Sequence, residues 1–521
     1  MVPDRLPGIP DRPVLNYVEQ VNRLNLSVGQ GPWTGLVQVD EVLLAANRYK
    51  LDGAIHEERQ LLSPDIAWPL HFGTWYLNPE KVSLRWKKGD LSVKVGDFYA
   101  AFGNGLALNV NRDVDIDIDT SLQGVHVLYR GAVWDIEGLL GQANRQQVSQ
   151  DNPNLGLYGD LRHTVAGVRL VRYGLGPATV GLHGVLYDFV DQTGWKAGFT
   201  NLSTAPDVVV GGATLDMTGV GGIDWNLEGD LFTFPTAVAW GGADPHPGYA
   251  LYGSAVWYAG RTTWQLEGKR YEDAQRVNSP VTAELYQFAV GPTLEYERAI
   301  TEDSGAAVNS NDIYGGRLRV DWAAVPGQTV PYASLAVFRD LDTGGLHFNT
   351  VPETIVHPML GTEMHGDAVD LVLNGGFRMD LRDGTPLSGG DRQLHGDADV
   401  KVPLAGPVHL DVALSGEWFQ WGNNPIQQSD YAEMESSVGL LVGPKVAVTW
   451  FTDYSDNPLV NTEGNLAPDW YGALEVQYKP LPALTLKAFG GAYKSGIRCS
   501  GGQCRVLPGF EGVRASATGT F

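Results

Sequence analysis

The 521-residue sequence predicts an all-β protein: a large transmembrane antiparallel β-barrel of about 24 strands, with about 22 as the alternative count. Three observations predict this fold. Apolar and polar residues alternate along most of the chain, Gly and Pro occur between paired runs, and short turns alternate with long polar loops. This layout predicts short periplasmic turns and long extracellular loops.

Alternation with a period of two is clearest at the end of the chain and in an early hairpin. Residues 511–521 read EGVRASATGTF, with small or apolar side chains on one face and polar side chains on the other. Residues 82–87 and 91–95 repeat the pattern on either side of the turn at residues 88–90. Because this period places one set of side chains on each face of a sheet, each run predicts a strand with one apolar face. A closed barrel in lipid would leave no unpaired edge, so the last strand is expected to pair with the first, at residues 22–29.

Composition and charge exclude several classes of protein. The chain has 65 glycines, 43% hydrophobic and 19% charged residues, and no run approaches the roughly 18 apolar residues of a transmembrane helix. A formal net charge of −23 argues against nucleic acid as a partner, because phosphates would be repelled. Barrel strands alternate and never form long apolar runs, so low hydropathy is compatible with a membrane protein.

Strands begin almost at once, which divides the chain into two parts. Residues 1–19 are expected to form an N-terminal extension or a luminal or periplasmic segment, and residues 20–521 the barrel. The first residues lack a signal peptide, so for an exported protein we expect a trimmed chain. The alternation of short and long connections slips once, between residues 340 and 393, where two consecutive connections read as long. An even number of strands is expected when both ends lie in the periplasm.

Aromatic residues near strand ends support the membrane interpretation. Rings with a polar group favour the headgroup region of a bilayer, although Trp also favours strands in general. The residues expected to form these aromatic girdles are Trp33, Trp86, Trp134, Trp257, Trp322, Trp418, Trp421, Trp470, Tyr129, Tyr258, Tyr454, Tyr471 and Tyr478.

The N-terminal quarter resembles a known family. Residues 96–108 (GDFYAAFGNGLAL), together with residues 22–25 and the strand at 35–40, resemble a family of uncharacterised outer-membrane β-barrels best populated in Bacteroidota. The likeness covers mainly residues 20–130. It implies the fold and a place in the bacterial outer membrane, and it implies no substrate. The aromatic C-terminus, Phe521, also resembles the signal that the outer-membrane assembly machinery reads.

The strongest polar cluster is an acidic run on one predicted strand. Asp113, Asp115, Asp117 and Asp119 would share a face, with neighbours about 7 Å apart. The run is interpreted in three ways: as the ordinary polar inner face of a barrel strand, as a ladder that attracts cations, or as a Ca²⁺ site. The EF-hand pattern is absent, so no metal site is assigned. Residues 98–120 as a whole are expected to fold into the lumen, being long for a turn, Gly-rich and then acidic.

Other predicted lumen-lining residues carry both signs of charge. Asp224, Glu228 and Asp230 share one face of a strand, and Arg317 and Arg319 share one face of another. In a water-filled barrel these groups either generate a transverse field or form salt bridges that brace the wall. The sequence leaves both interpretations open.

The two cysteines lie close together in RCSGGQCR. A disulfide between Cys499 and Cys504 would close a Ser-Gly-Gly-Gln loop and would suit an oxidising compartment. Two thiols fall short of the four ligands of a structural zinc site, so a disulfide is favoured over a metal.

No catalytic motif is recognisable, so neither an enzyme nor a cofactor is expected. The sequence favours an outer-membrane, porin-like channel for hydrophilic solutes. The alternative is a scaffold or anchor barrel with a blocked lumen, in a complex for secretion, motility or surface display. The expected surroundings are the lipid bilayer, lipopolysaccharide and the assembly machinery, with periplasmic or surface proteins as further partners.

Overall fold

The computed structural model describes residues 14–51, 54–57, 74–113, 118–143, 163–188, 208–233, 247–272, 274, 288–289, 291–292, 313–340, 353–382, 390–420, 422, 430–456, 469–494, 496–500, 503–507 and 510–519. No helix within these ranges is long and apolar enough to cross a membrane.

The strands are numbered in chain order. The first ten are β1 (Val14–Gln30), β2 (Trp33–Leu51), β3 (Ala54–Glu57), β4 (Thr74–Lys88), β5 (Leu91–Phe98), β6 (Ala100–Phe102), β7 (Leu108–Val110), β8 (Arg112–Asp113), β9 (Ile118–Asp119) and β10 (Leu122–Arg130). The next ten are β11 (Trp134–Ala143), β12 (Thr164–Leu175), β13 (Ala178–Asp188), β14 (Val208–Val220), β15 (Ile223–Thr233), β16 (Gly248–Ala259), β17 (Thr262–Glu272), β18 (Ile313–Trp322), β19 (Thr329–Asp340) and β20 (Glu353–His365). The last ten are β21 (Asp370–Arg382), β22 (Asp391–Ala405), β23 (Val408–Gln420), β24 (Tyr431–Val442), β25 (Val446–Ser455), β26 (Asp469–Leu481), β27 (Leu484–Tyr493), β28 (Gly496–Ser500), β29 (Gln503–Leu507) and β30 (Phe510–Gly519).

One large antiparallel sheet forms the wall. Within the described residues it contains 24 strands, and β3 pairs there only with β2, so 23 described strands follow one another around the wall. The pairs β6·β7, β8·β9 and β28·β29 form separate two-stranded sheets. The predicted fold class, a large all-β antiparallel barrel, is confirmed. The first strand begins at Val14, so residues 14–19 belong to the wall and not to the predicted N-terminal extension; residues 1–13 lie outside the described part of the chain.

Short turns and long connections alternate along the described wall without a slip. The predicted slip between residues 340 and 393 is wrong, because β20 and β21 are joined by a tight turn in which Gly366 N donates to Val369 O at 3.0 Å. Pro358 and the pair Gly375-Gly376 interrupt the alternation of these two strands, and in the sequence they resemble parts of a loop.

The two faces of each strand differ as a membrane barrel requires. On β15, Leu227 and Leu231 are exposed whereas Glu228 and Asp230 are buried. On β11, Ile136 and Leu140 are exposed while Glu137 is buried. Exposed apolar side chains on one face and enclosed polar side chains on the other reverse the pattern of a soluble sandwich. The apolar face is therefore the lipid-facing exterior, and the polar face points into the lumen.

Aromatic residues gather where the short turns leave the wall. Trp33 and Trp86 are cross-strand neighbours whose ring centroids are 6.4 Å apart, and Trp257 and Trp264 lie 6.3 Å apart across the β16·β17 pair. Rings of this kind at one depth form the aromatic belt expected at a membrane interface. Trp421, predicted in the same group, lies outside the described residues.

The two ends of the wall are not joined by hydrogen bonds within the described residues. β1 pairs with β2, and β30 pairs with β27, but β1 and β30 are not paired with each other in the sheet. In a meander with an odd number of strands, the first and last strands run in the same direction. Direct pairing of β1 with β30 would therefore be parallel. Within the described residues, neither the predicted even number of strands nor the predicted pairing of the first strand with the last is observed.

Candidate functional site

A segment between β5 and β10 folds into the barrel and fills part of its lumen. We call its described residues, 99–113 and 118–121, the luminal segment. Its side chains Phe102, Leu106 and Leu108 are buried, and they share an apolar core with inward-facing wall residues such as Tyr187 and Phe232. The prediction that residues 98–120 fold inward is confirmed for the described part of this range, residues 98–113 and 118–120.

Polar contacts fix the luminal segment against strands β13 and β15. The Tyr187 hydroxyl donates to Ala107 O at 2.5 Å, and Asn104 N donates to the Glu228 carboxylate. Gly103 precedes this contact with φ of 56°, and a Cβ at this position would collide with the Glu228 carboxylate. Glycine is therefore needed both for the left-handed backbone and for the close approach to the wall.

A second group of polar contacts holds the luminal segment near its start and its end. Asp119 is buried and forms an ion pair with Lys81 of β4. The Tyr99 hydroxyl donates to both oxygens of Asp119, at 2.9 and 3.0 Å, and Arg112 lies 3.8 Å from the same carboxylate. Burial, and then the charge of Asp119, raise the pKa of the Tyr99 hydroxyl well above its usual range, so this group remains a hydrogen-bond donor.

The acidic run does not form the predicted single strand. β8 and β9 are the two arms of a hairpin, with Arg112 opposite Asp119 and Asp113 opposite Ile118. A continuous strand would have placed all four carboxylates on one face, and the reversal of direction between β8 and β9 prevents this. Asp115 and Asp117 lie outside the described residues.

The predicted positive residues of the inner wall pair with acids close by. Arg317 lies opposite Glu267 and binds it, with Nε–Oε2 2.8 Å and Nη2–Oε2 2.5 Å, and the Tyr252 hydroxyl donates to the other oxygen of Glu267 at 3.1 Å. Arg319 lies 2.7 Å from Asp321. Of the two interpretations left open by the sequence, bracing salt bridges describe these residues.

Of the predicted acids on β15, Asp224 lies apart from the other two. It lies at the start of β15 and accepts a hydrogen bond from Gly219 N of β14 at 2.8 Å, beside the short turn that joins the two strands. Glu228 and Asp230 point inward but are almost completely enclosed, 4% exposed each. They therefore do not line open lumen, because the luminal segment covers them.

Glu228 and Asp230 lie beside a histidine that the sequence did not single out. His183 of β13 reaches Asp230 with Nε2···Oδ1 2.5 Å, and one donor atom from each of the three residues lies within 4.8 Å of the others. Gly212 of β14 lies opposite both His183 and Asp230. Strands two positions apart in a sheet are about 9.5 Å apart, so the contact exists because Gly212 has no side chain between them.

A similar arrangement occurs farther along the wall, on β20–β22. His357 and His395 are both buried, with Nε2···Nε2 2.7 Å, and Gly376 leaves the space between them. The sequence signal that could have revealed both pairs is a histidine on the polar face of a strand combined with a glycine on the strand between. The register across a long connection, which brings them together, is not visible in the sequence.

Part of the inner face of β20, β22, β24, β26 and β27 is open to water, although His357 and His395 on the same face are buried. The inward-facing charged side chains of Glu363, Asp399, Lys401, Glu435, Glu475 and Lys487 are 29–53% exposed. A cavity of about 260 Å³ lies on this side, lined in part by Arg319, Asn374 and Asp397. The lumen is consequently asymmetric, with an apolar packed side under the luminal segment and a polar open side.

The remaining predicted site residues are described only in part or not at all. Cys499 and Cys504 lie opposite each other in the β28·β29 pair, a backbone register compatible with a disulfide; the pairing of their sulfur atoms stays a prediction. Phe521 lies outside the described residues.

Residues 69–181 match a family of unknown function (DUF6029). No curated protein matches the sequence. Among solved structures, the chain is similar to the FrpB iron transporter from Neisseria meningitidis, with 10% identity, 97% of this chain and 80% of that chain covered, and a TM-score of 0.45. It is also similar to the P pilus usher (PapC) translocation pore, with 10% identity, 96% and 95% covered and a TM-score of 0.40. The outer-membrane protein OpdK from Pseudomonas aeruginosa matches with 13% identity, 75% and 93% covered and a TM-score of 0.39. The match to the family of unknown function overlaps the region, residues 20–130, in which the sequence resembles uncharacterised outer-membrane barrels.

Proposed function

We propose that this chain is an outer-membrane channel for small hydrophilic solutes, with a lumen narrowed on one side by the luminal segment. The observation that carries the proposal is the exposure of charged side chains on the inner face of β20–β27. Side chains such as Asp399 and Lys401 would not keep this exposure in a lumen filled with packed protein. An exterior of exposed Leu and Val surrounds them, and water is the only solvent that suits the interior.

The charge of the open side favours cations. Among the exposed inward residues named above, Glu363, Asp399, Glu435 and Glu475 are acidic. Only Lys401 and Lys487 are basic. Each lysine lies close to an acid, with Lys487 Nζ–Glu475 Oε1 3.5 Å and Lys401 Nζ–Asp399 Oδ1 3.7 Å. Rings of carboxylates in a pore raise the local concentration of cations and repel anions, so the excess acid predicts a cation preference.

The luminal segment would act as a constriction. Its contacts with β4, β13 and β15 hold it against one side of the wall, through Asp119, Ala107 and Asn104. The solute would therefore pass along the opposite, polar side.

The proposal places the barrel in a bacterial outer membrane with lipopolysaccharide, inserted by the assembly machinery, and assigns it no catalytic role and no nucleic-acid partner.

Osmotic swelling of liposomes tests this function. Proteoliposomes that contain the folded barrel should swell in neutral sugars, faster for small sugars than for large ones. In planar bilayers, a potassium chloride gradient should give a reversal potential of cation-selective sign, and the double variant Asp399→Asn, Glu435→Gln should move it towards zero. Asp224→Asn is the matched control, because Asp224 lies beside the short β14–β15 turn and is bound by Gly219 N. Absence of swelling with a verified folded barrel would favour the scaffold alternative instead.

A further inference from the structure

We propose that His183, Glu228 and Asp230 form a binding site for a divalent transition-metal ion, with Zn²⁺ as its representative, beneath the luminal segment. The starting point is the enclosure of three potential ligands at one place: His183, Glu228 and Asp230 are all buried, and their donor atoms lie within 4.8 Å of one another. The inference departs from the sequence-based expectation of no metal, and it stands independently of the channel function.

The unsatisfied oxygen atoms point to a missing ligand. Glu228 Oε1 and Asp230 Oδ2 are buried and accept no hydrogen bond within the described structure. Neither carboxylate forms an ion pair with Lys or Arg among the described residues, in contrast to Glu267, which binds Arg317. Two adjacent carboxylates enclosed away from water require a cation or a proton between them. A metal ion bound by both would satisfy the two free oxygen atoms together.

The donor set selects the class of metal. One imidazole nitrogen and two carboxylate oxygens are common ligands of Zn²⁺, whereas Ca²⁺ and Mg²⁺ prefer six or more oxygen ligands or retained water. Ligand atoms around tetrahedral zinc are about 3.4 Å apart. Because the three donor atoms already lie within 4.8 Å, small side-chain rotations suffice, and a water molecule would complete the tetrahedron.

Neighbouring residues hold the ligands in place. Asn104 N of the luminal segment donates to Glu228 Oε2, which leaves Oε1 free for the metal. Gly212 leaves the space in which His183 and Asp230 meet; a Cβ there would collide with Asp230 Oδ1 and His183 Nε2. Partners that orient a ligand in this way are typical of metal sites. A bound ion would thus connect β13, β15 and, through Glu228, the luminal segment.

Equilibrium dialysis of the folded barrel against Zn²⁺ tests the proposal. The detergent-solubilised protein is first stripped with a chelator, then dialysed against Zn²⁺, and its metal content is measured by mass spectrometry. The expected result is one Zn²⁺ per chain, not displaced by excess Ca²⁺ or Mg²⁺. His183→Ala, Glu228→Gln and Asp230→Asn should each weaken binding at least tenfold. Gly212→Ala, which keeps all three ligands, should do the same.

The matched control is Glu137→Gln, since Glu137 is an equally buried inward carboxylate that has its own partners, His126 and Arg169. It should bind Zn²⁺ like the wild type. The heat-dependent shift in gel mobility verifies that each variant is folded, and the visible spectrum of bound Co²⁺ should indicate four-coordinate N/O ligation. A wild-type barrel that takes up no more Zn²⁺ than His183→Ala overturns the proposal, as does undiminished binding in the Glu228→Gln and Asp230→Asn variants.

Discussion

Replacement of Phe102 by Ala should loosen the luminal segment without weakening the wall. Phe102 is 0% exposed. Its ring centroid lies 6.1 Å from that of His183 and 5.9 Å from the Arg169 guanidinium. Gly167 of β12 leaves room for the ring, since a Cβ there would lie 2.8 Å from Phe102 Cε2. Phe102 is therefore the apolar anchor between the luminal segment and strands β12 and β13.

The expected loss of docking free energy follows from the burial of the Phe102 ring. A Phe→Ala change in a packed core costs about 3–5 kcal/mol, and here the cost applies to docking, because Phe102 lies outside the hydrogen-bonded wall. Every 1.4 kcal/mol is a factor of ten, so the ratio of docked to undocked segment should fall by about two to three and a half orders of magnitude. The lumen contains water, so apolar burial drives docking there as it does in a soluble core.

Single-channel recording measures this loss directly. Phe102→Ala should produce current fluctuations between a wild-type level and a larger level, as the luminal segment undocks from the wall and docks again. Leu182→Ala is the control, because Leu182 lies next to His183 on β13 but is 56% exposed on the lipid face; its record should match the wild type. Steady wild-type conductance in Phe102→Ala, with unchanged resistance of the segment to protease, would refute the anchoring role.

Two further predictions concern the ion pair and the lipid face. Lys81→Ala leaves Asp119 buried without its main partner, so docking should weaken by about 3–5 kcal/mol, measured as faster proteolytic cleavage within the luminal segment; if cleavage is as slow as in the wild type, the pair does not hold the segment. Leu251→Arg places a charge on the lipid face of β16, where Leu251 is 49% exposed, and should lower the free energy of unfolding in liposomes by about 2–4 kcal/mol. Leu251→Ala is its control, and equal stability of the two variants would contradict the assignment of that face.

The sequence predicted the wall well because its signal is local. Alternation assigns a face to every residue in a strand, and on β15 it separated Leu227 and Leu231 from Glu228 and Asp230 as the structure does. The inward fold of the luminal segment was also predictable, because residues 98–120 are too long for a turn and are Gly-rich at first and then acidic.

The site was less predictable because its parts meet through long-range register. His183 and Asp230 are 47 residues apart in the sequence. The chain between them includes one long connection, from β13 to β14, and one short turn, from β14 to β15. Only the pairing of β13, β14 and β15 places Gly212 between them. The prediction for the acidic run failed although its signal was local. The alternation of residues 113–119 is typical of one strand, but β8 and β9 are antiparallel arms of a hairpin.

Whether the polar side of the lumen is open can be measured as the single-channel conductance of the wild-type barrel. A barrel with an open, acidic side should give a steady, ohmic, cation-selective conductance. A folded barrel that conducts no ions, and still conducts none when Phe102→Ala has released the luminal segment, would contradict it.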